Sequence, residues 1–306
     1  MSSPELETVG SDPVPFAPTH PFSETAGADA ILRSSDGVDF YVHRVILSLV
    51  SPVFETMFGL PQPESSPAIP VIDMQESSAA LDLALRFFYP AAQPNVATLE
   101  KLQEVLEVVM KYDMQCVVPM VKQHLEKYQS SRPLAVYAIA FRHRWKDVAA
   151  AAAKESLKYP LRSLNTEAPA ELEGVTAIGY HELLHYHSRC ADAARLTTAE
   201  LKWFPWSTTL DNCRCNKNLL MFSDNMYHHT PAWFCEFLTG MVNTWAITPG
   251  ANVRDHGIFY VALEKAKCDY CRPFNFIYFV THQLTAQVRS EIDKVRGTPP
   301  FISARI

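Results

Sequence analysis

Glycine is scarce in this chain, 10 of 306 residues, where globular proteins use ~7%. Phosphate-cradling loops are built on glycine, so the scarcity argues against nucleotide chemistry. One spacing of that kind occurs, Gly174 and Gly179. Tyr180-His181 follows it, where the motif needs Lys and then Ser or Thr. There is no G-x-S-x-G nucleophile elbow. No apolar run approaches the ~18–20 residues that span a bilayer, so no membrane partner is expected. Excess positive charge is missing too. The net charge is −6, whereas dedicated nucleic-acid binders carry a basic face, and no nucleic-acid partner is expected. The one small basic-aromatic cluster, RHRWK at 142–146, reads as a solvated turn between helices.

The first 27 residues lack a basic start and an apolar stretch, so no secretory signal is expected and the address is cytoplasmic or nuclear. Prolines among polar residues predict a disordered tail over 1–27. Hydrophobic residues make up 48% and charged residues 20%, an ordinary globular mix. Seven cysteines in such a setting are expected to be reduced. Cys116 and Cys190 fall in helical patterns and are expected as small core residues. The other five, Cys213, Cys215, Cys235, Cys268 and Cys271, crowd into the C-terminal third.

What is present begins with a change of pattern in GVDFYVHRVILSLVSPVFETMF, residues 37–58. Apolar and polar residues nearly alternate from Val38 to His43, then apolar residues recur at helical spacing from Val45. A hairpin is expected, Ile31-Leu32 leading through the Ser35-Asp36-Gly37 turn into Val38–Val42. Short helices over 44–50 and 52–58, a proline-rich loop and a short strand at PVIDM follow. A helix capped by Ser77-Ser78 presents Leu81, Leu85 and Phe88 and stops at Tyr89-Pro90. A helix over about 98–112 aligns Leu99, Leu102, Leu106 and Val109. Another over about 115–128 aligns Val117, Val121, Leu125 and Tyr128, with Pro119 tolerable only in its first turn. The sum is an α+β unit of about 100 residues.

These residues resemble a BTB/POZ domain over 28–128. The resemblance rests on Asp29, FYVHRVILSLVSPVFETMF at 40–58, VIDM at 71–74, LRFFYP at 85–90 and LEVVMKYDMQCVVPMVKQHL at 106–125. A helical pair over 129–165 resembles the start of the BACK-like region that follows many BTB domains. Its wording, VYAIAFRHRWKDVAAAAAKESLKYPL, is similar to BTB proteins of mushroom-forming (basidiomycete) fungi. The resemblance implies a non-enzymatic interaction module that binds protein partners, forms homodimers, and recruits a cullin scaffold as a ubiquitin-ligase adaptor. It also implies that Asp29 and Arg44 pair in a buried pocket near a dimer interface, against the alternative of a solvated surface pair. Two departures weaken parts of this. The loop GLPQPESSP places Glu64 behind Pro63, not in the hydrophobic-x-Glu element that many cullin-binding relatives carry. The proline-broken stretch 12–27 cannot form the N-terminal helix of strand-swapped dimers.

Residues 166–306 are expected as an all-α C-terminal domain: a helix over about 176–195, an irregular cysteine-bearing stretch over 197–230, a helix through Trp233, Phe237, Met241 and Trp245, and a last helix over about 273–296 striped by Ile277, Val280, Leu284, Val288, Ile292 and Val295. HELLH at 181–185 satisfies the zinc-metallopeptidase pattern, with Glu200 as a conceivable third ligand. A surface pair fits better. Tyr180, Leu184, His187 and Ala191 form the expected buried face, and His181 and His185 lie beside it. The pairs Cys213-x-Cys215 and Cys268-x-x-Cys271 supply four sulfurs, enough for a structural zinc tetrahedron, with His228, His229 and Cys235 as spare ligands. Reduced core thiols and a disulfide are the alternatives. A BTB-based transcriptional regulator is the remaining rival class, and no basic DNA-reading element accompanies it.

Overall fold

The computed structural model describes residues 16–23, 27–61, 69–90, 93–160, 170–200, 213–221, 227–252, 257–271 and 274–295. The chain divides into two compact units, Met1–Lys127 and Tyr128–Ile306.

The first unit is α+β. Strands β1 (Ala30–Arg33) and β2 (Asp39–Val42) form the expected hairpin, and Gly37 takes a φ of +81° in its turn. Only glycine adopts that left-handed backbone without penalty. Strand β3 (Val71–Asp73) adds to β1 in parallel, so β1 is the central strand, in the order β2-β1-β3. Helices α1 (Arg44–Val50), α2 (Pro52–Gly59), α3 (Ser78–Arg86), α4 (Leu99–Lys111) and α5 (Val118–Glu126) follow. Local chemistry sets several boundaries. Ser77 and Thr98 cap α3 and α4 through their hydroxyls, and Pro119 sits in the first turn of α5. α3 ends at Arg86, which turns Phe87 into the core in place of the expected Phe88.

Ser51 is the joint between α1 and α2. Its buried hydroxyl accepts from the Phe54 N–H at 3.2 Å and donates to the Tyr112 carbonyl at 2.5 Å. Ser51→Ala removes a cap and strands a buried carbonyl, so it is expected to cost about 1–3 kcal/mol, read as a lower urea midpoint at unchanged slope.

The expected tail needs one correction. Phe22 is completely buried, its ring edge-on to Tyr89 at 4.9 Å, and its carbonyl accepts from the Tyr41 N–H. The folded unit therefore begins before Gly27. Cys116 also departs from expectation: it is exposed, whereas Cys190 is buried.

The second unit is mostly helical. Helix α6 (Pro133–Arg142) is buried from Pro133 through Ala140, as an all-round apolar helix must be. α7 (Lys146–Ser156) follows, then a 3-10 turn at Ala170–Gly174 and the long α8 (Ala177–Glu200). Helices α6 and α7, expected as an extension apart from the C-terminal domain, share this unit. Leu157 belongs to the core that holds Trp233, Phe237 and Trp245, and Gly250 donates to the Leu157 carbonyl. The stretch expected as irregular contains an antiparallel hairpin, β4 (Lys217–Met221) with β5 (Tyr227–Pro231). Helices α9 (Ala232–Ile247), α10 (Ile258–Lys265) and α11 (Phe274–Lys294) complete the unit. Leu284, Val288 and Ile292 of the expected α11 stripe are buried, while the side chains of Ile277 and Val280 lie outside the described residues. Among the described residues, no helix is long and apolar enough to cross a membrane.

Candidate functional site

In the first unit, the strand-to-helix corner carries the residues of interest. His43 precedes α1 and offers no side-chain cap. Asp29, beside it at the start of the hairpin, does the capping instead: its Oδ1 accepts from the Arg44 N–H at 2.7 Å. A carboxylate at a helix N-terminus satisfies an orphan donor and meets the positive end of the dipole. The Tyr89 hydroxyl accepts from the His43 N–H at 2.7 Å, and burial pushes the Tyr89 phenol up to about 12. The Arg44 guanidinium turns away from Asp29. It donates to the Phe58 carbonyl at 2.8 Å and lies over the Phe58 ring at 4.8 Å. Asp29 and Arg44 are thus neighbours, as expected, but within one chain they do not form a buried side-chain ion pair. The backbone N–H takes the carboxylate because helix α1 begins there without another acceptor.

The side chains that the sequence reading passed over are on the outside of the same corner. Val45 and Leu49, one turn apart on α1, are 63% and 81% exposed, and Val53 at the start of α2 is 38% exposed. Only Leu47 of α1 is buried. A usable signal was present. RVILSLV is apolar at every position but Arg44 and Ser48, and a seven-residue surface helix cannot bury all of it.

In the second unit, α8 carries HELLH on its solvent side. His181 and His185 are both exposed, with parallel rings 6.3 Å apart. Glu200 ends the same helix, about 22 Å beyond His185 at 1.5 Å rise per residue, too far to share a metal with the pair. The buried face is Gly179, Leu183, His187, Cys190 and Ala194, with His187 as expected but Leu183 in place of Leu184. The phase is set by close approach to α6. A Cβ on Gly179 would run into the Phe141 ring, and the Tyr137 hydroxyl donates to the Gly179 carbonyl at 3.0 Å.

Cys213, Cys215, Cys268 and Cys271 do come together: their four Sγ atoms lie within 4.8 Å of one another. Cys213 and Cys215 immediately precede β4, and Cys268 and Cys271 occupy the turn between α10 and α11. Each pair folds back on itself. The Cys215 N–H donates to Cys213 Sγ and the Cys271 N–H to Cys268 Sγ, both at 3.4 Å. Burial raises the Cys213 and Cys271 thiols. At Cys268 burial acts in the same direction but is outweighed by hydrogen bonds, from the Arg214 backbone first, which bring that thiol down to about 6. Cys235 stands apart, its Sγ directed to the Thr230 carbonyl, and the side chains of His228 and His229 lie outside the described residues. Arg214, Lys265 and Lys267 line a concavity of about 400 Å³ whose wall includes Cys215 and Cys268.

A small mixed sheet with a helical hairpin at its corner and three further helices defines an α+β interaction domain, followed by a mostly helical region. Residues 20–129 match the BTB/POZ domain family. That domain is a non-catalytic protein-interaction module, and the chain carries it ahead of its helical second unit. No curated protein matches the chain.

Proposed function

We propose that this chain is a non-enzymatic interaction protein of the cytoplasm or nucleus that works as a homodimer, its BTB domain pairing two copies and its second unit presenting a bound protein. The observation that carries the proposal is the exposure of Val45 and Leu49, one turn apart on α1, and of Val53 at the start of α2, near the Asp29–Arg44 corner. Adjacent exposed apolar side chains are the ordinary mark of an association surface. A two-fold interface uses the same patch on both copies, so each of these residues counts twice.

Burying Leu49 in both copies is worth about 3 kcal/mol or more, so Leu49→Asp is expected to weaken association at least ~100-fold. Light scattering on the eluting full-length protein checks this, the mass falling from two chains to one while the far-ultraviolet circular dichroism stays unchanged. A wild-type protein that is already monomeric at micromolar concentration defeats the proposal. So does a dimer untouched by both Leu49→Asp and Val45→Asp.

Recruitment of a cullin scaffold, which makes such a chain a ubiquitin-ligase adaptor, rests on the domain class alone. Retention of a cullin by the purified full-length protein at micromolar concentration supports it, and failure to retain one removes the adaptor role while leaving self-association intact. The four-cysteine cluster is a structural part of the second unit in this proposal, not a reaction centre.

A further inference from the structure

We propose that Cys213, Cys215, Cys268 and Cys271 bind one structural zinc ion that fastens the start of the β4–β5 hairpin to the turn between α10 and α11. Sulfurs at the corners of a tetrahedron, each 2.3 Å from zinc, stand about 3.8 Å apart. The four Sγ atoms bracket that spacing: Cys213 to Cys271 is 2.9 Å, Cys213 to Cys268 is 3.9 Å, and no pair exceeds 4.8 Å. The backbone is already shaped for ligation. Within each pair the second cysteine's N–H points at the first cysteine's sulfur, an arrangement that favours the thiolate and fixes its direction.

Charge and position agree with this. Four thiolates and one divalent ion leave a charge of −2, in a place where Cys213 and Cys271 are buried and Cys215 and Cys268 half-buried. Arg214, Lys265 and Lys267 line the concavity beside Cys215 and Cys268 and offset that charge. Binding releases the protons of those thiols still protonated to solvent, and no oxidant or reductant is needed. With four protein sulfurs the coordination is closed. No position is left for water, so the site is structural and not hydrolytic. The ion also joins segments far apart in sequence. The Ala232 N–H donates to the Asn216 carbonyl next to the first pair, so a tie at Cys213 and Cys215 orders the entry to both β4 and α9.

The test uses the full-length protein purified under reductant without chelator. Elemental analysis is expected to give about one zinc per chain, as a single closed tetrathiolate site requires. Cobalt exchanged for the zinc should give the intense thiolate-to-metal absorption of a tetrahedral sulfur site, a signature that core thiols cannot produce. Cys215→Ser should lose most of the metal and Cys235→Ser should keep it. If Cys215→Ser does not fold, the cobalt spectrum of the wild-type protein still decides. Metal-free protein with every thiol freely titratable, iron in place of zinc, a Cys213–Cys271 disulfide persisting under reductant, or full zinc retention in Cys215→Ser would each overturn the proposal.

Discussion

Phe54→Ala is expected to destabilise the first unit by about 3–5 kcal/mol, a large part of the stability of a domain this size. Phe54 is fully buried on α2, its ring stacked on Tyr112 at 4.9 Å and followed by Phe58 at 6.0 Å. Truncation removes the transfer free energy of the ring and leaves a cavity. That cavity resists collapse because both helix ends are pinned: Ser51 bonds to the Tyr112 carbonyl and Arg44 to the Phe58 carbonyl. The expected readout is a two-step urea unfolding curve for the full-length protein, with the first unit's transition moved to lower urea and the second unit's unmoved. An unshifted first transition shows that the α2 face is assigned to the wrong side.

The first unit was largely legible because its signals are local. Alternation marked β2, a hydroxyl cap marked α3, aligned apolar residues marked α4, and prolines marked the first turns of α2 and α5. Each involves residues close together in the chain, so a single sequence carries the information. Phe22 was not legible. It reaches Tyr89 and Phe40 from a proline-broken segment without periodicity, and nothing local distinguishes a docked aromatic from a solvated one. The same limit explains Asp29 and Arg44. The resemblance implied a charge pair, but the choice between a guanidinium and a backbone N–H is made by where α1 happens to start.

In the second unit the α8 face was displaced by one residue, which on a helix is a rotation of ~100°. Gly179 sets that phase through its contact with Phe141, and a glycine contributes no apolar signal of its own. The β4–β5 hairpin and α10 were missed because neither carries a clean period in a stretch crowded with aromatics. The four cysteines were legible because spacing within each pair is a local signal. That the two pairs meet is a property of the fold.

His187 alone should remove about 3 kcal/mol of the second unit's stability as the pH falls from 6.5 to about 4. His187 is 1% exposed, and burial alone brings its imidazole down to about 4 from the usual 6.5. The Ser156 hydroxyl donates to the Ala153 carbonyl at 2.7 Å, so the 2.8 Å contact to His187 is best made with Nε2–H as donor and the Ser156 oxygen as acceptor. Nδ1 is then the bare nitrogen, and it has no partner among the described residues. Protonating it places a charge in the interior with nothing to receive it.

The sign follows from that. Above pH 6.5 the imidazole is neutral in both folded and unfolded chains, and the contribution is fully present. Between 6.5 and about 4 the unfolded chain binds a proton that the folded chain refuses, so stability falls with pH, and below about 4 the loss is complete. His143, lowered in the same direction by burial and by Arg142, adds to the slope. The first unit has its own acid limit lower down. The Ser34 and Ser78 hydroxyls hold Asp36 at about 2, so that contribution is lost only below the ordinary carboxylate range. Urea midpoints at pH 7, 5.5 and 4.5 should therefore fall for the second unit well before the first. His187→Gln, which keeps a neutral donor toward Ser156, should flatten the second unit's slope whatever it does to the midpoint at pH 7. An unchanged slope in that variant shifts the cause to His143 or to protonation of the four-cysteine cluster.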